Sequence, residues 1–242
     1  MSFIYRPAGK AGEYAKLALN HYVGCPGGCL YCFGPAFCHK SPEQFHGHPY
    51  PRKGVLEGLA KELPAFSGTD DPILMCFIAD PYQDLDIGLE LTREVLKLMV
   101  EHDAPFAILT KQGDRAPRDF DLMRRARFCK FGVTLTVQDE GERIHWEPRC
   151  GTVVDRVRAI KDAHKDDILT WVSLEPIIHP GDTIRFLEQL ADVVDEFKIG
   201  KLNYHPHEKT IDWPQARADI LETIKRLGIE SKIYIKESLR NL

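Results

Sequence analysis

Short apolar runs alternate along this chain with longer stretches whose apolar positions return at helical spacing. The run 17–23 (LALNHYV) predicts a first strand. The run 73–79 (ILMCFIA), set between Asp-Asp-Pro and Asp-Pro, has the unbroken apolar character of a parallel strand buried on both faces. Further strands are predicted at 105–109 (PFAIL), 130–137 (KFGVTLTV), 168–174 and 197–204 (FKIGKLNY), with a short last one at 232–235. Between them, Val55, Leu56, Leu59 and Leu63 follow Pro51 at helical spacing, and Leu91, Val95 and Leu98 form one stripe of the next helix. Helices are also predicted around 119–127, 153–163, 183–197 and 215–227, the last closed by Gly228 as its C-cap. Residues 1–16 read as a polar lead-in, and 34–52 as a long loop rich in His, Pro and Phe.

Strand and helix thus alternate throughout, which predicts one α/β domain over 1–242, built on a parallel sheet with right-handed crossovers. Its core spans 17–204, and 205–242 supply a C-terminal helix and short strand. With roughly six or seven strand–helix units the chain falls short of a closed eight-fold barrel; the pattern alone does not separate a partial barrel from an open doubly wound sheet. Composition is that of a globular protein, 43% hydrophobic and 28% charged over 242 residues, with net charge −4. That balance argues against a generally basic nucleic-acid-coating protein and leaves room for a local basic groove, such as Arg115, Arg118, Arg124, Arg125, Arg127 and Lys130. No apolar run approaches the ~18 residues of a membrane span. Seven cysteines and an N-terminus without an apolar signal core predict a reducing, cytoplasmic setting.

The chemistry concentrates in Cys25-Pro-Gly-Gly-Cys29-Leu-Tyr-Cys32. Three thiolates on one short loop suit three irons of a cubane iron–sulfur cluster, leaving a fourth iron open to a small molecule. A zinc knuckle would take four closed ligands, commonly in paired C-x2-C units, and no second such unit exists here. Polar residues also follow each predicted strand. They include Asp80, Tyr82 and Gln83, then Lys111, then Thr134 and Thr136, then Glu175, then Asn203 and His205, and finally Lys236. In a curved parallel sheet these converge on one cavity.

The C-x3-C-x2-C pattern, with Tyr31 just before its last cysteine, resembles the signature of the radical S-adenosylmethionine (SAM) superfamily. The resemblance implies a partial (β/α)6 barrel of the TIM type. It also implies a [4Fe–4S] cluster on Cys25, Cys29 and Cys32, and S-adenosyl-L-methionine on the open iron. One-electron cleavage of SAM would then give a 5′-deoxyadenosyl radical that abstracts hydrogen from a substrate, with flavodoxin or ferredoxin as the kind of electron donor implied. Tyr31 is expected against the adenine. Asp80-Pro81-Tyr82-Gln83, Ile108-Leu109-Thr110-Lys111, Thr134 and Glu147-Pro148-Arg149 resemble the spore photoproduct lyase, or DNA repair photolyase, branch. That branch implies SAM contacts at Phe33, Lys111 and Thr134; Asp80 and Arg149 are further candidates for SAM's polar groups. Two departures matter. Phe33 has no hydroxyl, and the lyase's hydrogen-returning cysteine falls at Phe77, with Cys76 one residue off and so on the opposite face of a strand.

Cys76 therefore reads as a packing residue while remaining, with Tyr82 and Glu175, a candidate catalytic group. Cys129 and Cys150 read as structural. The expected activity is hydrogen abstraction from a nucleobase- or nucleoside-type substrate, possible also within DNA. The alternatives are modification of a peptide or small metabolite, and an iron–sulfur sensor or electron carrier.

Overall fold

The computed structural model describes residues 2–242. Its main sheet has eight strands in the order β1-β2-β5-β6-β7-β8-β9-β10. These are β1 Ile4–Tyr5, β2 Leu17–Leu19, β5 Ile73–Met75, β6 Phe106–Thr110, β7 Cys129–Thr134, β8 Leu169–Ile177, β9 Glu196–Lys201 and β10 Ile233–Ile235. A separate antiparallel ribbon pairs β3 Tyr22–Val23 with β4 Tyr50–Pro51. All main-sheet pairs are parallel except β1 on β2. The sheet curves as a partial barrel whose edges, β1 and β10, do not pair. It runs past residue 204 to β10, and the lead-in supplies an edge strand.

The open seam between those edges is closed by residues 9–14. Lys236 Nζ donates to Lys10 O at 3.3 Å and Lys198 Nζ to Tyr14 O at 2.5 Å, while Glu13 Oε2 accepts from the Glu237 amide at 2.9 Å. Polar composition made this segment read as a mere lead-in, but its carbonyls and one carboxylate are what the two buried lysines and β10 need.

Strand alternation sends one residue set outward, under the helices, and the other into the barrel. Outward residues such as Phe131, Val133, Val172, Leu174, Phe197 and Ile199 join the main core. Inside, Ala18, Leu74, Ala107 and Trp171 form a small apolar floor, joined by Tyr14 and Phe77. Small Ala18 and Ala107 line the floor beside the indole, and Gly132 makes room for it most directly, since a Cβ there would lie 2.3 Å from Trp171 Nε1.

Several elements differ from the sequence pattern, each for a local reason. The apolar run at 73–79 is a strand only to Met75; beyond it Asn20 Oδ1 takes the amides of Phe77 and Ile78 at 2.9 and 3.1 Å in place of a ladder partner. The first predicted strand divides at Asn20-His21 into β2 and β3. The loop 34–52 contains helices Gly34–Phe37 and Pro42–Gly47, the second opened by a Ser41–Gln44 capping box. Helix Pro180–Leu190 stops short of Phe197, which lies in β9.

Candidate active site

The cysteine loop leaves β3 and is fixed from two sides. On one side stands helix Pro42–Gly47. The Cys25 amide donates to Phe45 O at 3.3 Å, and His46 Nδ1 lies 2.7 Å from Cys25 O. Gly24 has φ +82°, and a Cβ on it would stand 2.6 Å from Phe45 O, so only glycine fits. On the other side lies the segment 146–151. The Leu30 amide donates to Trp146 O at 2.9 Å, and the Arg149 amide to Gly27 O at 3.2 Å. His46 is thus a brace. Among the described residues no three His, Cys, Asp or Glu groups gather around a single ion position.

Segment 146–151 is itself clamped by two buried arginines that the sequence reading did not single out. Arg143 Nη1 donates to the carbonyls of Glu147, Pro148 and Cys150 at 3.2, 3.4 and 3.2 Å. Arg156 donates to Gly151 O at 2.8 and 3.0 Å and to Thr134 O at 3.0 Å. Glu147, fully buried, is the counter-charge: its Oε2 lies 2.5 Å from Arg156 Nη1, as an ion-pair contact. Its Oε1 accepts from the Tyr31 hydroxyl and, at 2.9 Å, from Thr136 Oγ1. Burial would raise the Glu147 pKa, but the Arg156 and Lys111 charges outweigh it and hold the carboxyl below its ordinary range.

Lys111 follows β6 and faces this group. Its ammonium lies 5.6 Å from the Tyr31 ring centre, and the side chain is partly buried. Burial opposes its charge, yet Cys29, Glu147 and Cys150 raise its pKa. Asp80 ties two strand ends together, accepting from Thr110 Oγ1 at 2.7 Å, the Lys111 amide at 2.7 Å and the Tyr82 amide at 2.9 Å. Thr134 is buried at the end of β7. Arg149 is exposed and lies across Gly28, where a Cβ would meet Nη2 at 3.2 Å. Phe33 is half exposed ahead of helix Gly34–Phe37.

The remaining candidates lie elsewhere. Cys76 is buried, with Sγ 3.4 Å from His21 Nδ1, and burial pushes its pKa up; it is a protonated thiol against a neutral imidazole, outside the barrel interior. Tyr82 packs under Arg118, its ring 5.5 Å from the guanidinium, in the cluster Arg118 forms with Asp86 and Asp119. Glu175 stands inside the barrel, with Oε1 3.2 Å from Lys236 Nζ and its buried Oε2 unpartnered. Burial raises its pKa against the opposing pull of Lys236. Gly200 on β9 makes room for it, since a Cβ there would lie 2.5 Å from the carboxyl carbon. Beside it the Tyr14 hydroxyl meets Ser173 Oγ.

The basic segment is largely neutralised within the chain. Arg115, Arg118, Arg124, Arg127 and Lys130 pair with Asp84, Asp86, Asp166, Asp103 and Glu196. Cys150, expected from the sequence to be structural, lies at the cysteine loop, its sulfur 3.7 Å from Cys29 Sγ. No ligand spacing in the sequence points to it; only its place directly after Glu147-Pro148-Arg149 hinted at the site.

The residues present fit an anionic iron–sulfur cofactor. Burial pushes the Cys25 and Cys32 thiols up to about 12 and about 11, so metal coordination is what would draw off their protons. Gly27 lies between two of the thiols: a Cβ on it would stand 3.5 Å from Cys25 Sγ and 3.8 Å from Cys29 Sγ. The partly buried Lys111 ammonium beside the cysteine loop suits an added negative charge.

Compared with known proteins, residues 19–194 match the family model of the Radical SAM superfamily. An uncharacterized protein of Methanocaldococcus jannaschii is 26% identical over 167 residues, covering 68% of this chain and 61% of that protein, so the chain spans about three fifths of that relative's length. A spore photoproduct lyase variant with bound SAM and dinucleoside spore photoproduct superposes with TM-score 0.66 at 12% identity, over 92% of this chain and 76% of the lyase. A second lyase variant gives 0.68 at 11% identity, over 96% and 79%. SuiB of Streptococcus suis, bound to SAM, gives 0.64 at 10% identity, over 90% of this chain and 49% of SuiB. At these identities the likeness to solved structures is one of fold.

Proposed function

The chain belongs to the radical SAM superfamily and is an enzyme, and from that premise we propose that it abstracts hydrogen from a nucleobase- or nucleoside-type substrate, free or within DNA. In this reading Cys25, Cys29 and Cys32 hold a [4Fe–4S] cluster. Once bound, the cluster with SAM supplies a 5′-deoxyadenosyl radical by one-electron cleavage of the sulfonium. The chain's own residues bind and orient. Lys111 meets the SAM carboxylate as a partly buried cation. Tyr31 offers the adenine an aromatic face, Phe33 borders it, and Asp80 and Thr134 supply acceptors and a hydroxyl for the amine and ribose. Arg149 covers the site from outside.

The observation that carries the reading is the partly buried Lys111 ammonium, just past the carboxyl end of parallel strand β6 and beside Tyr31 of the cysteine loop. The substrate class rests on the barrel interior. Phe77 and Tyr14, partly exposed above the buried Trp171, supply apolar ring surface, and Glu175, Ser173 and Lys236 supply both donors and acceptors. That mixture suits a heterocycle bearing N–H and C=O groups. Glu175, with its raised pKa and unpartnered oxygen, is the group placed to exchange a proton with such a substrate.

Anaerobic reconstitution tests the proposal. The expected result is four irons and four sulfides per chain, on the order of a full cubane, a spectrum that changes on adding SAM, and 5′-deoxyadenosine formation accelerated by a nucleoside or oligonucleotide. SAM cleavage unaffected by any nucleoside or DNA, but accelerated by peptides, would overturn the substrate class. A cluster blind to SAM would overturn the whole.

A further inference from the structure

Resting on that cluster assignment, we propose that Cys150 donates an S–H···S hydrogen bond to the Cys29 sulfur that binds the cluster, and so sets the cluster's reduction potential. The two sulfurs lie 3.7 Å apart, and Cys150 Sγ lies 4.0 Å from Gly27 O. Gly27 admits it: a Cβ there would stand only 3.1 Å from Cys150 Sγ. The backbone holds the sulfur in place, because the Cys150 amide donates to Glu147 O at 3.1 Å and Cys150 O accepts from Arg143. The Arg149–Gly27 hydrogen bond then joins this segment to the cysteine loop as one unit.

Geometry separates this role from that of a fourth ligand. Each iron of a cubane has one position outside the cube, so Cys150 cannot share the iron that Cys29 holds. Ligands on different irons point away from the cube's centre and end much farther apart than these two sulfurs do. A thiol this close to a ligating thiolate is left as a donor. Such a bond draws negative charge from the ligating sulfur, favours the reduced cluster and makes the potential less negative.

The test compares wild type, Cys150→Ala and Cys150→Ser after anaerobic reconstitution. It reads iron and sulfide content, then midpoint potential by a mediated titration followed by electron paramagnetic resonance. Cys150→Ala is expected to keep its cluster and shift to a more negative potential. Cys150→Ser, whose hydroxyl also donates, is expected to recover most of that shift. Should either variant fold poorly, wild type reports alone: reconstitution in D2O should shift its Fe–S(Cys) stretching bands in resonance Raman spectra. A fully loaded Cys150→Ala at the wild-type potential, or wild-type bands indifferent to D2O, would overturn the role of Cys150 while leaving the cluster assignment standing. A wild type that takes up no cubane would overturn the cluster assignment itself. A cluster responsive to SAM only in Cys150→Ala would make Cys150 a fourth ligand and refute both.

Discussion

Replacing Glu147 by Gln should lower the melting temperature of the cluster-free protein by about 6–12 °C at neutral pH. Glu147 is fully buried, and the Arg156 side chain it faces is 1% exposed, with Nη1 at 2.5 Å. Gln conserves volume and can keep an oxygen toward Tyr31 and Thr136. It removes the one carboxylate facing both Arg156 and Lys111. Removing one partner of a buried pair costs about 3–5 kcal/mol. Arg156 retains its bonds to Gly151 O and Thr134 O, so the lower end, ~3 kcal/mol, applies. In a chain of this size each kcal/mol moves the midpoint by about 2–4 °C. The pH dependence has a definite sign. The folded pKa of Glu147 is depressed, so its contribution is present above the unfolded value of about 4.3 and lost as pH falls through the lower folded value. The gap between wild type and Glu147→Gln should be widest near neutrality and close below about pH 4. Calorimetry at a series of pH values measures both. A gap under about 2 °C at pH 7, or one that persists unchanged in acid, would refute the view of Glu147 as the counter-charge of the site.

Three further outcomes are expected. Ala in place of Cys25, Cys29 or Cys32 should each abolish cluster retention, whereas Cys38→Ala and Cys129→Ala should leave iron and sulfide content unchanged. Lys111→Met should weaken SAM binding to the reconstituted protein by about 10–100-fold in equilibrium titration, the effect of losing one charged hydrogen bond; an unchanged affinity would remove Lys111 from the site. His21 is buried and its pKa is lowered to about 4. The unfolded chain therefore binds the extra proton first, and stability should fall by about 3 kcal/mol as pH drops from about 6.5 to about 4. His21→Gln should flatten that part of the pH–stability curve in urea titrations, and a curve of unchanged slope would count against it.

Where the chain sends neighbouring residues to one place, the sequence was readable. The alternation of apolar runs and amphipathic stretches gave the α/β class, because each strand or helix must bury one set of local positions. The cysteine loop was readable for the same reason, since its thiols and the glycines between them are neighbours in the chain. Strand ends were less so. The run at 73–79 carries no mark that Asn20 captures its last amides, and the seam-closing role of 9–14 rests on lysines more than 180 residues away. The basic segment likewise read as free charge until the fold brought Asp84, Asp86, Asp103, Asp166 and Glu196 against it.

By itself, then, the order of residues determined the layered α/β plan and the short loop of three thiols, both matters of local spacing. Tertiary structure alone decided that Cys150 meets Cys29 across 121 residues, that Arg143 and Arg156 clamp the segment between them, and that Glu147 faces Arg156 and Lys111 as their counter-charge. The physical reason is that a buried charge or thiol is held by partners chosen by proximity in space, and a parallel sheet brings together strand ends that lie far apart along the chain.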